Sequence, residues 1–109
     1  MSFNVKTIDV FEKQAKRLIK KFPSLKIELL ELIQRLKETP EMGVHIGKSC
    51  YKIRVSIASK RKGKRGGARI ITNFVISETT VYLLSIYDKS ERGTISEKEI
   101  SELLSYIPE

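Results

Sequence analysis

Three segments in the second half of the chain leave little freedom in the choice of fold. "CYKIRVSIA" (50–58), "ARIITNFVI" (68–76) and "TVYLLSIY" (80–87) are rich in β-branched and aromatic residues and read as strands. In the first, Tyr51, Ile53, Val55 and Ile57 point one way, while Lys52, Arg54 and Ser56 point the other. The second and third are apolar on both faces, a pattern that fits central positions in a sheet. Ser77–Thr79 is short enough to be a hairpin turn between them. The longer "SKRKGKRGG" is the hairpin loop between the first two, its glycines letting the backbone fold back while the basic side chains splay outward.

The first half has a different period. Asp9 is a candidate cap for a helix in which Glu12 completes a capping-box-like pair, and Phe11, Ala15, Leu18 and Phe22 recur at helical spacing before Pro23. Ser24 is a candidate cap for a second helix that carries Leu25, Leu29, Leu32 and Leu36 on one face and ends near Pro40 and Gly43. A strand is expected near Phe3–Ile8. A last helix begins at Ser96, where Ser96-Glu97-Lys98-Glu99 is a capping box, and its apolar face is Ile100, Leu103, Leu104 and Ile107. The order β-α-α-β-β-β-α predicts one α+β domain over residues 1–109. Its mostly antiparallel sheet packs against an N-terminal helical hairpin and a C-terminal helix.

No run approaches the roughly 20 apolar residues of a membrane helix, and the start "MSFNVKTIDVF" lacks a signal-peptide pattern, so a cytoplasmic location is expected. The lone Cys50 permits no internal disulfide. His45 is the sole histidine, which excludes a histidine-pair ribonuclease and leaves no zinc set. The basic segment contains no acidic pair, which argues against two-metal nuclease chemistry.

Charge becomes informative once it is located. The chain carries a net +8, yet Met42–Ser77 holds nine Lys or Arg and no acid. The other 73 residues carry 12 basic and 13 acidic groups, a balance of −1. A field concentrated in this way attracts phosphate backbones. Lys52 and Arg54 share a face with Cα atoms about 6.6–7 Å apart, a separation that suits neighbouring phosphates. A strand with one wet face would also account for the pair. Arg69 opens the adjacent strand and joins them if the register places it on the same side. Tyr87 lies at the end of a central strand, where either a functional phenol or a core tyrosine fits. Tyr82, on the opposite parity, reads as packing. The segment with Asp88, Lys89, Glu91 and Arg92 reads as a charged turn.

"PEMG" (Pro40–Gly43), "YKIRV" (Tyr51–Val55), the "SKRKGKRGGARIITNF" hairpin and "VYLLSIYDKSE" (Val81–Glu91), taken in order, resemble the RelE/HigB-type toxins of bacterial toxin–antitoxin modules. The resemblance covers about residues 5–105 and implies a small microbial-ribonuclease-like domain. It implies a ribosome-dependent endoribonuclease that cuts mRNA in the ribosomal A site by attack of the 2′-hydroxyl on the adjacent phosphate, without metal or cofactor. By the same resemblance Arg54 and Arg69 would stabilise the scissile phosphate, Lys52 would act as base, and Tyr87 and Lys89 would orient or protonate. Lys48, Lys60, Arg61, Lys62, Lys64 and Arg65 would bind RNA. The implied partners are the ribosome with its mRNA and a cognate antitoxin, often a helix-turn-helix protein through which alone operator DNA is bound. A tyrosine that some RelE-like toxins carry at the start of the last helix has no match in "RGTIS" (Arg92–Ser96). Two alternatives stay open at this level: a ParE-like gyrase poison of the same fold, and a non-catalytic RNA-binding relative.

Overall fold

A computed structural model of the chain describes residues 2–59 and 67–108. It runs β1 (Asn4–Thr7), α1 (Asp9–Lys21), α2 (Leu25–Glu38), β2 (Val44–Gly47), β3 (Cys50–Val55), β4 (Ala68–Val75), β5 (Thr80–Asp88) and α3 (Glu97–Leu104). The strands form one sheet in the order β1-β5-β4-β3-β2, antiparallel except where β1 runs parallel to β5. The fold is therefore α+β, with β4 and β5 in inner positions as their two-sided apolar pattern requires.

β2 is an addition to the expected order. It pairs with β3 through His45↔Tyr51, whose rings meet edge-on with centroids 5.2 Å apart. The connecting residues Lys48 and Ser49 both adopt left-handed φ, 54° and 58°. Hairpin turns of that geometry usually carry Asn-Gly or Asp-Gly, so Lys-Ser gives no turn signal in the sequence. Gly43 explains how the chain enters β2: its φ is 94°, and a Cβ there would lie 2.4 Å from the Lys52 carbonyl oxygen. Gly67 does the same work beside β4, where a Cβ would sit 2.3 Å from the carbonyl oxygen of Val55.

Two of the three expected helix caps are made differently. Asp9 is already inside α1, and the Thr7 hydroxyl instead donates to Glu12. Ser24 stands at the start of α2 in a helical conformation and makes no cap hydrogen bond. Its hydroxyl turns to Glu28 (3.2 Å) and Ser59 (2.8 Å), while the Ala58 N–H donates to Glu28 Oε2 (2.8 Å). The third cap forms as read, with Glu99 N–H donating to Ser96 Oγ at 3.1 Å and Ser96 N–H to Glu99 Oε1 at 3.2 Å. Between β4 and β5 the chain makes one turn of 3-10 helix, Ile76–Glu78, and then Thr79 with φ of 53°.

The two faces of the sheet differ in chemistry. On one, Ile53↔Ile70↔Ile86 form a buried row, continued by Leu83, Phe74 and Val81. The α1–α2 hairpin closes this face with Phe11, Leu18, Phe22, Leu25, Leu29, Leu32 and Leu36, all buried in the same cluster. Burial of each such side chain contributes about 1.5–3 kcal/mol, which makes this layer the main source of stability. Phe3 packs edge-on against Phe74 at 5.3 Å, and its N–H donates to the Lys37 carbonyl, fastening the end of α2. Pairing with β1 stops at Leu83; beyond it the Ile86 N–H donates to Gln14 Oε1 of α1 at 2.9 Å, so a side chain replaces the missing strand.

The other face carries Cys50, Lys52 and Arg54 of β3 and Arg69, Ile71 and Asn73 of β4. The register of β4 with β5 slips at one point: Ile71 faces Ser85, but Thr72 faces Leu83. Leu84 is thus an extra residue, a β-bulge, and it reverses the alternation of β5 beyond it. α3 lies over this second face with Ile100 and Leu103 buried. Among the described residues, no helix is long and apolar enough to cross a membrane.

Candidate functional site

Register alone assembles the centre of the site. Arg54 stands directly opposite Arg69, and Arg69 directly opposite Tyr87, so three residues from three strands form one row on one face. Directly opposed residues have Cβ atoms about 4.5–5.5 Å apart. Lys52 lies two residues before Arg54 and therefore on the same side. Exposure falls across the row: Arg54 is exposed, whereas Arg69 and Tyr87 are each 5% exposed. Among the described residues, Lys52 and Arg54 have no carboxylate within ion-pair distance.

Arg69 is held by the sheet. Its Nη1 donates to the Ala68 carbonyl at 3.2 Å, and burial fixes the guanidinium beneath the wetter Arg54. The Tyr87 hydroxyl is buried and has no hydrogen-bond partner among the described residues. Burial pushes its pKa above the usual phenol value, while Arg92 and Arg69 pull in the opposite direction. The phenol accordingly stays a protonated O–H donor at neutral pH.

Arg92, part of the segment that reads as a charged turn in the sequence, stands beside Tyr87. Its guanidinium lies 5.1 Å from the centroid of the Tyr87 ring, within cation–π range. It is clamped by both oxygens of Glu99 (2.7 and 2.9 Å) and donates to the Thr94 carbonyl at 3.1 Å. Glu99 answers by staying ionised: the paired arginine, helped by the Ser96 backbone, lowers its pKa to about 2. One carboxylate thus caps α3, holds Arg92 and keeps α3 over Tyr87. No local pattern announces this, because Arg92 and Glu99 meet only once the turn after β5 has folded back.

The remaining sequence candidates are distributed around this centre. Lys89 is exposed just beyond β5, its N–H donating to the Gly67 carbonyl at 3.1 Å, so it sits beside the start of β4. Lys48 projects from the β2–β3 turn, and its Nζ donates to Ser101 Oγ, tying that turn to α3. Lys60, Arg61, Lys62, Lys64 and Arg65 lie outside the described residues. Tyr82 corrects the reading from parity: because of the Leu84 bulge it faces Asn73 on the same side as Tyr87. There it lines a cleft of about 460 Å³ with Lys6, Asn73, Thr80 and Ile107.

Chemically, the row presents two guanidiniums and an ammonium beside a buried phenol. Such a set binds an oxyanion through charge-assisted hydrogen bonds and can give a proton to it.

No family model matches the sequence. Among solved structures, the chain is similar to that of E. coli toxin RelE in the free state, solved as a mutant with two arginines replaced by alanine. The match has a TM-score of 0.59 and 17% identity, and covers 97% of this chain and 94% of that one. The chain therefore has the RelE-like fold over nearly its whole length.

Proposed function

We propose that this protein is the toxin of a toxin–antitoxin pair and acts as a ribosome-dependent mRNA endoribonuclease. The observation that carries the reading is the in-register row Arg54–Arg69–Tyr87 with Lys52 on the same face. The RelE-like fold supports it. Arg54 and Arg69 bind the scissile phosphate and stabilise the extra charge that develops in the phosphorane-like transition state. Lys52, acting as the free amine, takes the proton of the 2′-hydroxyl and becomes an ammonium, while the 2′-oxygen bonds to phosphorus as the bond to the 5′-oxygen breaks. Tyr87 or Lys89 returns a proton to that leaving oxygen, so the products are a cyclic phosphate and a free 5′-hydroxyl. Arg92 acts as a positioning residue that fixes the Tyr87 ring. The ribosome supplies the strand geometry, and the basic segment that includes Lys60–Arg65 adds sequence-independent phosphate contacts.

The same positive field favours neutralisation by an antitoxin with an acidic covering element, with the pair residing in the cytoplasm and operator DNA bound through the antitoxin. The deciding experiment maps mRNA 5′ ends after brief induction, in translating and translation-arrested extracts. New ends confined to translating extract, and lost in a folded Lys52→Ala/Arg54→Ala variant, are expected. Unchanged toxicity in that variant, or inhibition of DNA supercoiling with mRNA intact, would sink the proposal.

A further inference from the structure

The balance of −1 outside Met42–Ser77 hides a second concentration of charge. From Lys13 to Lys21, α1 reads "KQAKRLIKK", five cations and no acid, with the helix's two acids, Asp9 and Glu12, confined to its first turn. Lys13, Lys16, Arg17, Lys20 and Lys21 are all exposed. Spacings of three and four residues place Lys13, Lys16, Arg17 and Lys20 in one stripe, each step advancing about 4.5–6 Å along the axis. Glu12 is engaged by Thr7, and Glu91 pairs with Arg17 within the stripe at 2.6 Å and with Lys21 beyond it at 3.2 Å. Among the described residues, Lys13, Lys16 and Lys20 have no ion-pair partner.

Two further features narrow the partner. Between Lys13 and Lys21 no exposed apolar side chain interrupts the stripe, whereas protein interfaces are built around buried apolar and aromatic anchors. A straight, predominantly basic, anchor-free surface is instead complementary to a phosphate backbone. The stripe also runs into the candidate site: Glu91, which grips its end, belongs to the turn that carries Lys89 and Arg92.

We infer that the outer face of α1 is a second docking surface for the phosphate backbone of helical RNA, separate from the Arg54–Arg69–Tyr87 row. The inference deepens the nuclease reading and rests on it for its biological setting, but its test does not depend on cleavage. The α1 surface contributes affinity and orientation through ion release, and the row contributes chemistry.

The test is binding of a fluorescent RNA hairpin with a stem of about 16 base pairs, titrated at several salt concentrations. Lys13→Ala/Lys16→Ala/Lys20→Ala should keep its helix content and Tm, since alanine is the better helix former. Its affinity should fall at least about tenfold near 0.1 M salt, and the log–log salt slope should shrink by about three, one per lysine. An unchanged slope and affinity would overturn the inference. So would lost affinity for polyglutamate with RNA binding intact, which would mark an acidic protein as the partner. A wild-type protein that cuts no mRNA but shows this slope loss in the triple variant keeps the surface and removes the nuclease reading.

Discussion

Ile53, Ile70 and Ile86 lie in a row across β3, β4 and β5; one residue further on, facing the other way, lie Arg54, Arg69 and Tyr87. The two rows share strands and ladder, and differ only in parity. The isoleucine row is sealed beneath α1 and α2 and gains from leaving water. In the arginine row two guanidiniums face each other and, among the described residues, the desolvated phenol has no hydrogen-bond partner. The isoleucine row maintains the fold, while the arginine row places like charges and a buried phenol side by side. Such an arrangement is sensible if an anion completes it.

This contrast can be broken experimentally, beginning with the largest effect. Lys52→Ala/Arg54→Ala should lower mRNA cleavage by about 10²-fold or more, with thermal unfolding within about 1 kcal/mol of the parent because Arg54 is exposed and Lys52 only half-buried. Ile70→Ala should do the reverse, costing about 2–5 kcal/mol in chemical denaturation while leaving the activity per folded molecule close to normal. Equal losses of stability in both variants would erase the division of labour.

Tyr87→Phe sharpens it at a single atom. Removing the hydroxyl should cost about 10²–10⁴-fold if it is the proton donor. Stability should hold or rise by about 1 kcal/mol, because a buried hydroxyl with no hydrogen-bond partner among the described residues is removed. An effect on stability alone would return Tyr87 to the role of a core residue and leave Lys89 as the acid.

The Arg92–Glu99 clamp should show itself in acid. The folded pKa of Glu99 is depressed to about 2, so its contribution is fully present above the ordinary carboxylate value near 4.3 and is lost as pH falls from there toward 2. Acid titration followed by amide exchange in α3 should find the helix loosening in that window, earlier in Arg92→Ala. The effect is modest, since the carboxylate is 43% exposed. The smallest change is expected inside the apolar layer. Thr72 is fully buried, and its hydroxyl has no partner among the described residues, so Thr72→Val should raise stability by about 1 kcal/mol in urea melts.

How much of this was legible in the sequence depends on whether the information is local. The period-two patterns around Ile53, Ile70 and Ile86 report burial residue by residue, so the central strands and the α+β class could be read directly. The Ser96–Glu99 capping box is equally local. Lys52 and Arg54 could be assigned to one face, but the opposition of Arg54 to Arg69 depends on register, which pairing and turn geometry decide together. β2 escaped because Lys48 and Ser49 carry no turn signature. Thr7 took the place of Asp9 at Glu12 because the chain enters α1 directly from a strand. Tyr82 packs against the core as expected, but on the other side, because strict alternation fails at a bulge and the run of apolar residues around Leu84 gives no sign of one. Arg92 was overlooked because its partners come from a strand and a helix it meets only in the folded chain.

Leu84 has no opposite number in β4, and that makes the molecule unequally sensitive to two kinds of sequence change. A residue of similar bulk at this position still delivers the phenol to the basic side, because the backbone count is preserved. A residue lost or gained between Tyr82 and Tyr87 inverts everything downstream, turning the phenol toward α1 and α2 and an isoleucine toward the basic face. The residue count in this strand therefore constrains the site more tightly than the identity of most side chains along it.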